Sequence, residues 1–365
     1  MTAGLFAPLP PAATGVADYA ACLLEGLRAR GRVEVDDAEA DVALYHIGNN
    51  PLHRAIYERA LGRPGVTVLH DAMLQHFFLS WLDKAGYIGE FVYNYGEWMT
   101  DFAGDLWAGR SRSGADARYF EYPMLKRIAE RSRAVIVHNA AAARAVRRHA
   151  PEARIEEIPH LFVPPARLPS ESETELFRGQ LGLGPRTLLA GVFGHQRETK
   201  RLPVVMRALD RVSRGGADVR LLVAGAFVST DLERALAPML ADPRVMRVGY
   251  LPEPEFWRYS TAVDVCVNLR FPTTGETSGI GVRMMGIGKP VIFIAGEELA
   301  RIPENAALRV EMGALEEEML AGYLAWLAED REAAREIGCR AAAHIAREHS
   351  LEGVAERYWS VLKTA

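Results

Sequence analysis

Four short stretches of this sequence hold side chains whose type and spacing could do chemistry. In residues 271–290, FPTTGETSGIGVRMMGIGKP, Glu276 lies in a turn-rich loop, and Ser278 and Gly279 open a helical pattern. Small residues at a helix start leave backbone N–H groups open, and those amides with the helix dipole form an anion site. An ordinary loop–helix–strand connection is the plainer alternative. In GVFGHQRETKRL (191–202) a strand pattern ends at Gly194, and Arg197 and Lys200 follow before a helix near Leu202. A guanidinium fork and an ammonium point charge at that spacing can embrace a diphosphate; a solvated basic turn is the alternative. His70 and Asp71 follow the run VTVL, and His138 and Asn139 follow AVIV. A lone histidine at a strand end is usually structural, but two at equivalent ends of parallel strands point to a site. His70 is the stronger candidate, because Asp71 beside it can bind a hydroxyl-rich ligand. Near the start, Gly15 permits close backbone approach and its N–H can face an anion; Thr14 before it can instead be a plain N-cap.

Such residues act together only if strands deliver them to one place. Apolar runs of strand length recur: GLFA, DVALYHI (41–47), VTVLH (66–70) and AVIVH (134–138). A second series comprises TLLAGVFG (187–194), VRLLVAG (219–225), VDVCVNL (263–269) and PVIFIA (290–295). Amphipathic helical patterns separate them, which predicts α/β architecture with parallel sheets covered on both faces. Ligands of such sheets bind beyond the carboxyl ends of strands, where the candidates above lie. Prolines and serines in HLFVPPARLPSESETELF (160–177) break the periodicity and mark a boundary. The expected domains are residues 1–165 and 166–349, each Rossmann-like. An aromatic-rich stretch, 87–118, reads as a helical insertion whose Tyr93, Tyr95, Trp98, Phe102 and Trp107 are expected in the core, with a lid or part of a binding surface as the alternatives.

Composition narrows the class. With 365 residues, 49% hydrophobic and 25% charged, the chain is long enough for two cores and too polar for a membrane span. A net charge of −4 argues against nucleic acid as partner. The first residues show no basic segment before a sustained apolar run, so a cytoplasmic protein is expected. Cys22, Cys266 and Cys339 are isolated in apolar or helical patterns, which fits buried thiols and no structural metal. There is no nucleophile elbow, P-loop or zinc helix. Lys126, Arg127, Arg131, Arg144, Arg147 and Arg148 offer a basic face for peripheral contact with anionic lipid at the inner membrane face; a solvated helix face is the alternative.

These stretches together resemble the retaining glycosyltransferases of family 4, which have the two-domain GT-B fold. GVFGHQRETKRL is similar to that family's strand–Gly–basic loop. VGYLPEPEFWRYSTAVDVCVNLRFPTTGETSGIGVRMMGIGKPVI is similar to its long donor signature, in a bacterial form reading Thr-x-Gly-Glu-x-Ser. PLPPAATGVADY resembles the acceptor-side glycine loop, and VTVLHD the strand that presents a histidine. The resemblance spans nearly the whole chain. It implies two Rossmann-like domains facing across a cleft, with the closing helix (350–365) crossing back onto the first domain. It further implies metal-independent transfer of a sugar, a hexose in the first instance, from UDP- or GDP-sugar to a hydroxyl of a glycan or glycolipid. That places the chain in polysaccharide or glycolipid assembly and requires no cofactor.

In that reading Arg197, Lys200 and the amides of Ser278 and Gly279 stabilise the leaving diphosphate, Glu276 orients the sugar, and His70 contacts donor sugar or acceptor. Gly15, His138, Gly194, Tyr250, Leu251, Thr274, Gly275 and Thr277 complete the donor site. Where the family carries a second glutamate for the ribose, counting back from Gly288 and Pro290 gives Arg283, and Glu276 matches the first glutamate with a one-residue offset. A non-catalytic nucleotide-sugar binder and an epimerase of the same fold are the competing readings.

Overall fold

The computed structural model describes residues 1–12 and 14–365. Two separate six-stranded sheets organise the chain, and their strand pairs are parallel. The first contains β1 (Thr2–Phe6), β2 (Arg32–Val35), β3 (Val42–Ile47), β4 (Val66–Leu69), β5 (Ala134–Val137) and β6 (Ile155–Glu157), in the order β2-β1-β3-β4-β5-β6. The second contains β7 (Leu188–Phe193), β8 (Val219–Ala224), β9 (Val245–Val248), β10 (Val265–Asn268), β11 (Val291–Ile294) and β12 (Leu308–Val310), in the order β12-β11-β10-β7-β8-β9. Every residue of β3, β4, β5, β7 and β10 is buried. That follows from sheets covered on both faces, and it is why these strands read as unbroken apolar runs.

The second sheet has the dinucleotide-fold order, while the first has the flavodoxin-like order with β6 added beyond β5. Each reverses direction once, between β1 and β3 and between β7 and β10. Loops leaving those strands therefore diverge and open a crevice at the strands' carboxyl ends. The four strands that sequence patterning did not find, β2, β6, β9 and β12, are the four sheet edges.

Helix Leu351–Thr364 crosses to the first lobe and lies on helix Gly15–Arg28. Close approach is possible because Gly26 faces Ala355 and Gly31 lies under the Trp359 ring; a Cβ at Gly31 would come within 2.3 Å of that ring. The Tyr19 and Tyr358 hydroxyls pair at 2.9 Å in this buried seam. Where the chain passes between lobes, the Phe162 N–H donates to the His349 carbonyl at 2.7 Å, so both crossings are tied together. Helices Lys84–Tyr95 and Thr100–Gly109 form the aromatic insertion. Tyr95, Phe102 and Trp107 pack against the first-lobe core as expected, but Tyr93 is 38% and Trp98 82% exposed, contrary to the core reading. Tyr93 carries the Arg127 guanidinium 3.7 Å over its ring and donates to Glu130, so its surface position is polar-anchored. No helix among the described residues is long and apolar enough to cross a membrane. All three cysteines are free; Cys266 is buried, Cys22 half-buried and Cys339 exposed, so burial holds for only one.

Candidate active site

The carboxyl end of β7 sets the second lobe's contribution. Gly194 follows it with φ +85°, a left-handed conformation that glycine adopts without strain. A Cβ there would point between Lys200 Nζ and Ile280, so Gly194 lies between the lysine and the helix Gly279–Gly286. Lys200 is 7% exposed and donates to the Phe193 carbonyl. Burial, reinforced by Arg270, pushes its ammonium down to about 7. Arg197 lies on the exposed side of the same turn, with no side-chain ion pair or hydrogen bond among the described residues. Arg270, just past β10, gives one guanidinium nitrogen to Glu276 and keeps a buried Nε without a partner.

Helix Gly279–Gly286 is capped by Ser278, whose Oγ accepts from the Gly281 N–H at 3.1 Å and from Asn268 Nδ2 at 2.7 Å. The Gly279 and Ile280 N–H groups keep no partner among the described residues, so two amides remain open at the helix start. Thr14 caps the first-lobe helix through Ala17 N–H, and the Gly15 N–H keeps no partner among the described residues. The N-cap and the open-amide readings of that loop are thus compatible.

Glu276 occupies a different position from the one expected of a sugar-orienting group. One carboxylate oxygen receives Arg270; the other receives the Thr274 N–H at 2.9 Å and the Thr274 hydroxyl. Burial alone would raise this carboxyl, but Arg270 and Thr274 outweigh it and hold it below the usual range. Both oxygens brace the loop, and Oε1, which takes a single donor, keeps acceptor capacity for a sugar hydroxyl. The loop is also fastened to the first lobe. Asn139 Nδ2 donates to the Gly275 carbonyl and to Thr277 Oγ1, each at 3.0 Å, while Asn139 Oδ1 caps helix Ala140–His149. Gly275, at φ +70°, lies where a Cβ would meet Ala72 at 2.9 Å. Thr274 Oγ1 lies 3.0 Å from Asp71 Oδ1 and also contacts Glu276. Thr274 has one hydroxyl proton, so it donates to only one of the two carboxylates at a time, Asp71 or Glu276. Burial, then Glu276, pushes Asp71 up to about 6.

The first-lobe histidines form a chain rather than a free catalytic group. His138 Nδ1 is 3.0 Å from the Ile158 carbonyl, which only accepts, so that nitrogen carries the proton. Burial holds His138 neutral, down to about 4, which leaves Nε2 as an acceptor for His70 Nδ1 at 3.3 Å. His70 is likewise held well below the usual range by burial, so its Nε2 accepts from His46 Nδ1 at 2.9 Å. Both nitrogens of His70 and of His138 are occupied. Direct contact with a sugar through either ring, as anticipated from the sequence, would break this chain; His138 meets the loop through its carbonyl, which accepts from Thr277 at 3.4 Å. Tyr19 packs edge-on against His70 at 4.9 Å and fixes the ring plane.

Further along the cleft, Tyr250 is 79% exposed while Leu251 packs inward with Phe256 and Trp257. Arg283 stacks over Phe256 and Trp257 at 4.0 and 4.3 Å and donates to Glu253 at 2.6 Å. Behind the loop, facing the chain crossings, lies a cavity of about 510 Å³ bordered by Asn268, Arg270, Met285, Phe293 and Ile345. Arg270, Asn268 and Glu253 were not among the sequence candidates. Arg270 directly follows a strand run, the position at which ligand groups are sought first, and that signal was available.

No family model and no curated protein sequence matches the chain. Among solved structures it resembles sucrose-phosphate synthase from Thermosynechococcus elongatus, at TM-score 0.69 and 16% identity, over 100% of this chain and 98% of that one. It also resembles HepE from Anabaena in complex with UDP-glucose, at 0.67 and 15%, over 100% of both chains. WaaG, a glycosyltransferase involved in lipopolysaccharide biosynthesis, aligns at 0.64 and 14%, over 100% of both. The fold is that of the GT-B glycosyltransferases.

Proposed function

We propose that this chain is a retaining glycosyltransferase that moves a sugar from a nucleoside diphosphate sugar to an acceptor hydroxyl without a metal ion. The observation that carries the proposal is the convergence around Gly194 of Lys200 with the open amides of Gly279 and Ile280, flanked by Arg270 and Arg197. Such a cluster suits a diphosphate on which charge grows as the bond to the sugar breaks. Anabaena HepE, of the same fold, has been solved with UDP-glucose, which supports a nucleotide-sugar donor.

In this mechanism the bond between the anomeric carbon and the diphosphate oxygen breaks with its electron pair passing to the diphosphate. The acceptor oxygen bonds to the same face, and its proton goes to the departing diphosphate oxygen. Lys200, held down to about 7 while buried and so only partly protonated near neutral pH, becomes a full cation when the diphosphate arrives beside it. Glu276 holds the loop in shape and reaches the sugar through the acceptor capacity left on the oxygen that pairs with Arg270. His46 and His138 act as positioning residues that fix the His70 ring. An acceptor in glycan or glycolipid assembly, with peripheral membrane contact through Arg131, Arg147 and Arg148, which are exposed and have no ion pair among the described residues, completes the proposal.

The test is release of nucleoside diphosphate from a panel of UDP- and GDP-sugars with hydroxyl acceptors present, with the product anomer read by NMR and EDTA added in parallel. Product of retained configuration, unaffected by EDTA, is the expected result. The use of both Glu276 oxygens in bracing the loop favours one second reading, a nucleotide-sugar binder without turnover. Tight binding with no product from any donor would establish that reading instead.

A further inference from the structure

Glu253 is the first residue of helix Glu253–Ala262, just beyond the carboxyl end of β9. An acid there is favoured by the helix dipole and would ordinarily be a mobile surface side chain. This one is held. Arg283 Nη2 donates to its Oε1 at 2.6 Å, and Trp257 Nε1 donates to the same oxygen at 2.8 Å. The guanidinium is itself fixed by stacking on Phe256 and Trp257. Both donors fall on Oε1, so Oε2 keeps no partner among the described residues, on a side chain that is 65% exposed. The pair faces the first lobe: Asp18, on helix Gly15–Arg28, feels both the Arg283 and the Glu253 charge. The result is an anchored carboxylate with one open oxygen, inside the cleft.

Its spacing from the cation cluster has chemical meaning. Arg283 lies four residues after Gly279 on one helix, about 6 Å along the axis. A diphosphate resting on the Gly279 amide would bring its attached ribose to this depth, and a ribose presents two neighbouring hydroxyl donors. A carboxylate oxygen accepts such donors, and one held in place beforehand loses little freedom in doing so.

We propose that Glu253, held by Arg283 and Trp257, is the carboxylate that receives the ribose hydroxyls of the nucleotide and makes this chain select ribonucleotides. This rests on the reading that a nucleoside diphosphate sugar binds in the cleft. Arg283 then acts as a positioning residue, touching the carboxylate and not the ligand.

Titration calorimetry with UDP, 2′,3′-dideoxy-UDP and inorganic pyrophosphate, and with the corresponding guanosine pair, tests it on the folded full chain. The wild type should bind the ribonucleotide roughly tenfold to a hundredfold tighter than the dideoxy form. Glu253→Ala should abolish that preference while leaving pyrophosphate affinity unchanged. Arg283→Met should reduce the preference, with Arg283→Lys restoring part of it. Equal affinity for both sugars in the wild type, or an undiminished preference in Glu253→Ala, overturns the assignment while leaving nucleotide binding intact. Failure of the wild type to bind any of the nucleotides overturns the underlying functional reading, and the assignment with it.

Discussion

The two lobes present opposite chemistry to the cleft. The first lobe offers neutral rings: His46, His70 and His138 are uncharged, hold one another in fixed tautomers, and leave His70 no free nitrogen. The second offers cations in varied states of pairing: Lys200 buried and held down to about 7, Arg270 shared with Glu276, and Arg197 with no ion pair among the described residues. One lobe is finished without a ligand, while the other has charge that only an anion would complete. The difference teaches that shape comes from the first lobe and the driving force for anion binding from the second. It also explains why the loop of residues 273–278, braced by Glu276 and fastened to Asp71 and Asn139, is the place where the lobes communicate.

The largest effect should come from breaking the second lobe's pairing. Arg270→Ala leaves the mostly buried Glu276 carboxylate without its cation, and losing one partner of such a pair costs about 3 kcal/mol or more. Chemical denaturation should show that loss, and Arg270→Ala with Glu276→Gln should recover part of it. An unchanged midpoint in Arg270→Ala would mean that the loop does not depend on this pair. Next comes Lys200→Ala, expected to lower turnover roughly a hundredfold or more, as removal of a preorganised charge donor does. Its signature is protonic. Because the free enzyme holds this amine down to about 7, binding a diphosphate between pH 7.5 and 8.5 should take up a proton. Calorimetry in buffers of different ionisation enthalpy would show uptake in the wild type and none in Lys200→Ala.

A third prediction concerns the junction between lobes. Asp71 faces Glu276, which with burial raises it, and Arg270, the Asn49 N–H and the Thr274 hydroxyl, which lower it. Its folded value of about 6 exceeds the ordinary aspartate value of 3.8. Between those values the folded chain keeps a proton that the unfolded chain has released. The contribution of this group is therefore present below about pH 4 and is lost as pH rises through 6. Asp71→Asn, whose amide can donate to Thr274, should remove this component. Denaturation midpoints at pH 5 and 7.5 should differ less in the variant than in the wild type; equal differences would place the proton elsewhere.

How much of this was legible in the sequence depends on burial. The eight apolar runs found by pattern correspond to interior strands, while β2, β6, β9 and β12 lie at sheet edges, where half-exposed positions break the apolar signal. In the site, Gly194 and Lys200 could be read because a glycine after a strand and a nearby cation are local features. The bracing role of Glu276 could not, since Arg270 lies six residues away across a turn and Thr274 donates through its backbone. The histidine chain was equally hidden: it joins three strand ends through side chains 24 and 68 residues apart. Arg283 was noticed as a departure, yet its partner Glu253 is 30 residues distant, and adjacency of that kind is tertiary information.

The smallest effect compares the two helix starts that face the cleft. Thr14 caps its helix with a single bond to Ala17 N–H, and its removal should cost about 1 kcal/mol. Ser278 caps in the same way but also receives Asn268 Nδ2, and the Asn268 side chain is buried, with Oδ1 already unpartnered. Ser278→Ala therefore removes a cap and leaves a second buried polar atom without a bond, a further cost of about 1 kcal/mol or more. If the lobes differ as described, Ser278→Ala is the more destabilising change and also weakens diphosphate binding, because the amides it orders belong to the anion cradle. Asn268→Leu in the Ser278→Ala background should relieve the orphaned amide and return part of the stability without returning the binding. Equal losses of stability in Thr14→Ala and Ser278→Ala, with no effect on diphosphate affinity in either, would show that the two helix starts are equivalent and that the charge asymmetry stops at the lysine and arginine side chains.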